Sequence, residues 1–126
     1  MTLFVTEFDR SVKNRVIHSD DCTATVNKNV AGGPCTLMSI VIDNIEGDTT
    51  NYVRCSNGSS GTVGSDDIRV NVPCAGVNKE VVEFPGGIPF NRGLSFWCSS
   101  GASITSTSAP STTASDGKIK VTLVLG

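Results

Sequence analysis

Histidine and tryptophan each occur once in this sequence, at His18 and Trp97, and charged residues fill only 17% of its 126 positions. A single histidine removes most zinc chemistry, and the cysteines do not restore it, because no CxxC pair occurs. It also leaves one candidate base for a nucleophile–base pair, and no GxSxG elbow surrounds any serine. Aromatic residues are 6%, and the helix formers Glu, Lys, Gln and Ala are scarce. Basic residues number ten and are scattered against twelve acidic ones, so nucleic acid is not an expected partner. No apolar run reaches a membrane-spanning length, and no membrane partner is expected. The apolar start, Met1 to Val5, is interrupted by Asp9 and Arg10, too soon for a signal peptide. The chain is therefore expected to be made in a cytoplasm and not exported by the usual route.

What is abundant is Gly, Ser and Thr, with β-branched residues between them. That is the composition of an all-β domain with many turns. At this length one domain is expected, removing roughly two thirds of the unfolded chain's surface from water. Residues 22–126 read as that domain, and residues 1–21 as an N-terminal arm or first strand.

Period-two alternation carries the strand assignment. It runs through CTATVNKNV (22–30), TLMSIVIDN (36–44), NYVRCS (51–56), IRVNVPC (68–74), VVEFP (81–85), LSFWC (94–98) and KIKVTLVLG (118–126). TLMSIVIDN is apolar on both faces and should lie centrally, with Met38, Ile40 and Ile42 on one face. Pro73 cannot donate to a ladder and should close its strand or lie at an edge. HSDD (18–21), AGGP (31–34), IEGDTT (45–50) and the Asn57-Gly58 loop read as turns. Pro85-Gly86-Gly87 reads as a tight turn needing positive φ, since no helix or Lys-Ser/Thr pair follows to make a phosphate cradle. The Ser/Thr/Ala run 99–117 reads as a long exposed loop or flexible excursion. Seven or eight short strands without significant helix predict an antiparallel β-sandwich, of jelly-roll or immunoglobulin-like arrangement.

Candidate chemistry is sparse. His18 beside Asp20 and Asp21 reads as a surface turn residue. The other carboxylates are dispersed and form no calcium-loop pattern, so no metal or cofactor is expected. Asn57-Gly58-Ser59 matches a glycosylation acceptor but is read as turn chemistry. Trp97 alternates with Leu94 and Phe96 and should point off the main core face. There it caps the sandwich under a loop, contacts another subunit, or stacks on a sugar ring with Tyr52 as second aromatic. Contact with protein is the favoured reading. Most of the five cysteines are expected to be buried thiols, with Cys22–Cys35 the pair to bridge if any does.

The segment VVEFPGGIPFNRGLSFWCSSGASITSTSAP, with CTLMSIVIDN and NYVRC upstream and KIKVTLVLG at the end, resembles small virion proteins of tailed bacteriophages, notably those of marine and cyanobacterial hosts. The resemblance covers about residues 22 to 126 and leaves the arm uncovered. It implies a jelly-roll-like, non-enzymatic structural protein, most plausibly a capsid cement or decoration protein of the virion. Such proteins bind the major capsid protein and are often trimeric. A neck, tail or fibre component, or a carbohydrate-binding module for host recognition, is the alternative it leaves open. The five cysteines depart from the pattern. Leu3, Phe4, Phe8 and Arg10 in the arm, with Tyr52 and Trp97, are the candidate partner contacts.

Overall fold

A computed structural model of the chain describes residues 15–60 and 67–126. Seven strands form, and no helix occurs among the described residues. In chain order they are β1 (Arg15–Ser19), β2 (Cys35–Asn44), β3 (Asn51–Asn57), β4 (Asp67–Cys74), β5 (Asn78–Phe90), β6 (Leu94–Ser99) and β7 (Lys120–Leu125). They build a four-stranded sheet of order β1-β7-β2-β5 and a three-stranded sheet of order β4-β3-β6. Every pairing is antiparallel. This is an all-β, sandwich-like architecture.

The alternation explains why both sheets bury one face. From the four-stranded sheet Leu37, Ile40, Ile42, Val121, Leu123 and Leu125 face inward. Val53, Cys55, Val70, Val72, Phe96 and Cys98 answer from the other, and all belong to one core cluster. β2 lies centrally, as its two apolar faces require, and Pro73 sits on the edge strand β4. The inward set of β2 is not the one strict alternation gives. A bulge between Leu37 and Ser39 inserts Met38 as an extra residue, so Leu37 and Ile40 share the core face.

The same bulge corrects the reading of Pro85-Gly86-Gly87. These residues do not turn the chain between two strands. β5 continues through them, with Leu37 opposite Ile88 and Ser39 opposite Glu83, so that Phe84 to Gly87 loop out against Met38. Positive φ is nonetheless adopted, 80° at Gly86 and 78° at Gly87. The reversal into β6 comes later, at Asn91 to Gly93.

Residues 22–30 are the second correction. They run extended beside β6 but form only an isolated bridge, Asn27 to Phe96, with further backbone bonds from Cys98 N to Thr23 O and Val30 N to Leu94 O. The bonds are too irregularly spaced to make a ladder. HSDD is not wholly a turn either, since His18 and Ser19 belong to β1.

The Ser/Thr-rich segment is irregular and largely exposed, as expected, but it is tied down along its length. Ser99 Oγ donates to Ser108 O at 2.7 Å, and Ser100 Oγ to Ala109 O at 2.7 Å. Ser111 exchanges two bonds of 3.0 Å with the buried side chain of Asn51. Asn51 in turn donates to Asn44 Oδ1, and Asn44 Nδ2 reaches the carbonyls of Thr49, Cys74 and Ala75. This amide pair replaces the ladder that the connecting loops lack.

Candidate functional site

Tyr52, Arg54 and Ser56 alternate with core residues on β3 and therefore share the outer face of the three-stranded sheet. Register places Tyr52 opposite Ser99, Arg54 opposite Trp97 and Ser56 opposite Ser95. Arg54 has no exposed surface. Its Nε donates to Asn71 Oδ1 at 2.9 Å, and its Nη2 to the carbonyls of Gly101 (2.6 Å) and Ala102 (3.2 Å). The guanidinium carbon stands 4.9 Å from the centre of the Tyr52 ring, within cation–π range. Burial pushes the pKa of Arg54 down, partly opposed by Tyr52 and Cys98. Its partners are neutral oxygens and a π-face. Arg54 thus pins the start of the Ser/Thr-rich segment onto the sheet.

Trp97 lies on the face that alternation predicts, yet it is fully buried. Tyr52 and Trp97 do meet on one face, as a sugar site requires, but Arg54 lies between them and Trp97 offers no open ring surface. Full burial therefore corrects both the sugar-stacking alternative and the favoured contact with another subunit, and Trp97 is a packing position covered within its own fold. Arg54 Nη1, Ser56 Oγ and Trp97 Nε1 are buried here without a hydrogen-bond partner.

The outer face of the four-stranded sheet is different in kind. Two rows cross all four strands in register. Val81, Val41, Thr122 and His18 form one, and Glu83, Ser39, Val124 and Val16 form the other. Val16 is 65% exposed and Val81 57%, with Val41 and Val124 half-buried between them. Lys79, Asp43 and Lys120 make a charged row beside the valines. At the edge, β5 carries Glu83, Pro85 and Pro89, residues that discourage indiscriminate strand pairing. Arg69 Nη1 caps Pro89 O at 2.7 Å. The bulge opens a cavity of about 240 Å³ lined by Met38, Ser39, Glu83, Phe84 and Pro85. A four-strand face with central valines and a charged border is suited to contact with protein.

One arrangement resembles catalytic machinery. His18 Nδ1 is 2.8 Å from Thr122 Oγ1, and His18 Nε2 is 2.7 Å from Asp20 Oδ1. A hydroxyl, an imidazole and a carboxylate in series match the order of a nucleophile triad. The imidazole is 49% exposed and the carboxylate 79%, however, and none of the three lines the cavity beside Met38 or the one beside Cys22. His18 and Thr122 are direct cross-strand partners, so pairing alone accounts for the geometry.

All five cysteines are free and buried. Cys22 and Cys35, the pair expected to bridge if any did, are not joined. Cys22 lies beside Cys98 in the core instead, because residues 22–30 run along β6 and Cys98 N donates to Thr23 O at 2.9 Å. The neighbouring Cys98 thiol and burial push the Cys22 pKa up, and burial does the same at Cys55, Cys35 and Cys74. Among the described residues no three His, Cys, Asp or Glu side chains form a metal site. Leu3, Phe4, Phe8 and Arg10 lie outside the described residues. Sequence reasoning missed Arg54, Asn44 and Asn51; the only signal was polar residues within otherwise strongly apolar strands. No protein-family model matches the chain, and neither any curated protein nor any solved structure matches it.

Proposed function

We propose that this chain is a non-enzymatic structural protein that works through protein–protein contact, a capsid cement or decoration protein of a tailed bacteriophage. In this reading it has a jelly-roll-like fold, assembles as a homo-oligomer (a trimer), and stabilises the shell by binding the major capsid protein in the virion. The observation that carries the protein-contact part is the outer face of the four-stranded sheet, where Val16 and Val124 in one cross-strand row and Val41 and Val81 in the neighbouring row together span all four strands. The phage part rests on the resemblance of residues 22–126. The open position of His18, Thr122 and Asp20 supports a role without catalysis, since a triad on bare sheet surface does not exclude water.

The test is co-sedimentation of the purified protein with capsids of its phage, beside light-scattering measurement of its mass in solution. Binding to capsids and a trimeric mass are expected. Val81→Asp and Val41→Asp should abolish binding while leaving the β-sheet circular dichroism unchanged. A strict monomer with no affinity for capsids overturns the proposal. The glycan alternative needs an exposed Trp97, and burial of that ring counts against it.

A further inference from the structure

We propose that Cys22 and Cys98 form a site of oxidative modification, in which a hydroperoxide reaching the cavity beside Cys22 converts the two thiols into a disulfide. The inference stands apart from the capsid reading and rests on three placements. Cys22 lines a cavity of about 170 Å³ together with Asp21, Thr23, Pro110 and Ile119, large enough for a peroxide. Its backbone is held from two sides: Cys22 N donates to Ile119 O at 2.8 Å, and the next carbonyl, Thr23 O, accepts from Cys98 N at 2.9 Å. Cys98 lies on the core face of β6, and it shares the one buried core cluster with Cys22. The cavity therefore reaches Cys22, and the fold sets Cys98 beside it.

The roles follow from this geometry. Cys22 Sγ attacks one peroxide oxygen, the O–O bond breaks, and the departing hydroxide leaves as water with the thiol proton. Cys22 is then a sulfenic acid. Cys98 Sγ attacks the Cys22 sulfur, the S–O bond breaks, and a second water leaves with the Cys98 proton. Two thiols and one hydroperoxide thus give one disulfide and two waters (or one water and an alcohol), the sulfurs being oxidised and the peroxide reduced. The neighbouring Cys98 thiol and burial hold Cys22 as the neutral thiol, so the reaction is slow at neutral pH. Its rate should rise about tenfold per pH unit as thiolate forms. This is a latch that closes on sustained exposure rather than a rapid sensor. The bond ties residues 22–30, which β6 otherwise holds by scattered backbone bonds, covalently to the sandwich.

The test is to treat the folded full-length protein with hydrogen peroxide, quench, alkylate in denaturant without reductant, and map peptides by mass. The expected product has lost two hydrogens, links Cys22 to Cys98, and carries alkyl groups on Cys35, Cys55 and Cys74. Its thermal midpoint should rise by roughly 10 °C and return on reduction. In Cys98→Ser the sulfenic acid should persist at Cys22 and be trapped by dimedone; in Cys22→Ser, Cys98 should remain a thiol. Five alkylated cysteines after treatment, a bridge through Cys35, Cys55 or Cys74, or dimedone on another cysteine would each overturn the proposal. The wild-type peptide map decides by itself where a serine variant fails to fold.

Discussion

Arg54 and Trp97 face each other across β3 and β6, and neither has any exposed surface. A cation and the only indole thus lie together on the outer side of a three-stranded sheet. The returning carbonyls of Gly101 and Ala102 are bonded by that cation. The Ser/Thr-rich segment is part of the fold because Arg54 holds it there.

Replacing Arg54 by Ala should cost about 2–4 kcal/mol, because two carbonyls and Asn71 Oδ1 lose a charged donor while still covered. Urea denaturation measures the loss. Amide hydrogen exchange should accelerate first around Gly101 and Ala102. Unchanged exchange there would show that Arg54 does not anchor the segment.

Trp97 should emit as a shielded indole, blue-shifted and poorly quenched by acrylamide, since none of its surface is open. Trp97→Ala should cost about 3–5 kcal/mol, as for other large aromatic truncations in packed sites. Soluble glycans should leave the emission unchanged. A saturable shift with any sugar would restore the carbohydrate alternative.

Gly86 and Gly87 both have positive φ, but their surroundings differ. A Cβ at Gly86 meets nothing within 4 Å, whereas at Gly87 it would strike Thr36 Cγ2 and approach Met38 Sδ to 2.9 Å. Gly86→Ala should therefore cost about 1–2 kcal/mol from φ alone. Gly87→Ala should cost roughly 2–4 kcal/mol, since the bulge must also shift. Equal losses in denaturation would contradict the bulge.

Val77 sits at φ 60°, a conformation that a β-branched side chain adopts only under strain, and it is 61% exposed. Val77→Asn should raise stability by about 0.5–1 kcal/mol, because Asn tolerates this region better. The backbone bond from residue 77 to Gly47 O is retained. A loss of stability would mean that the valine side chain packs more usefully than its exposure implies.

The buried thiols set the alkaline limit. Burial raises the folded-state pKa of Cys35, Cys55 and Cys74 above the unfolded value, and the neighbouring Cys98 thiol together with burial does so for Cys22. Below the unfolded value, roughly pH 8.5, all are protonated in both states and stability is independent of them. Above it the unfolded chain releases protons that the folded chain keeps, so stability falls with rising pH. Each group contributes at most about 1.4 kcal/mol per pH unit. Denaturation midpoints between pH 8 and 10 should decline, and Cys55→Val should flatten the decline.

The strands were legible where a side-chain period sufficed. IRVNVPC and KIKVTLVLG alternate because each has one face in the core, and the structure buries Val70, Val72, Val121, Leu123 and Leu125 accordingly. Positive φ at Gly86 and Gly87 was legible from the residue type, as was the side of the sheet on which Trp97 lies. These depend on the local chain: a pleat sends neighbours to opposite faces, and only glycine adopts such φ without strain.

Tertiary structure decided the rest, because each outcome depends on what a distant segment does. Residues 22–30 alternate like a strand, but β6 offers them only scattered bonds. Met38 became a bulge because β5 and β7 both skip it. Cys22 met Cys98 rather than Cys35 because residues 22–30 lie along β6. Trp97 pointed away from the core as its parity required and was still buried, since the adjacent loop closes over that face. Alternation tells a side chain which way to point; only packing decides whether water is there when it arrives.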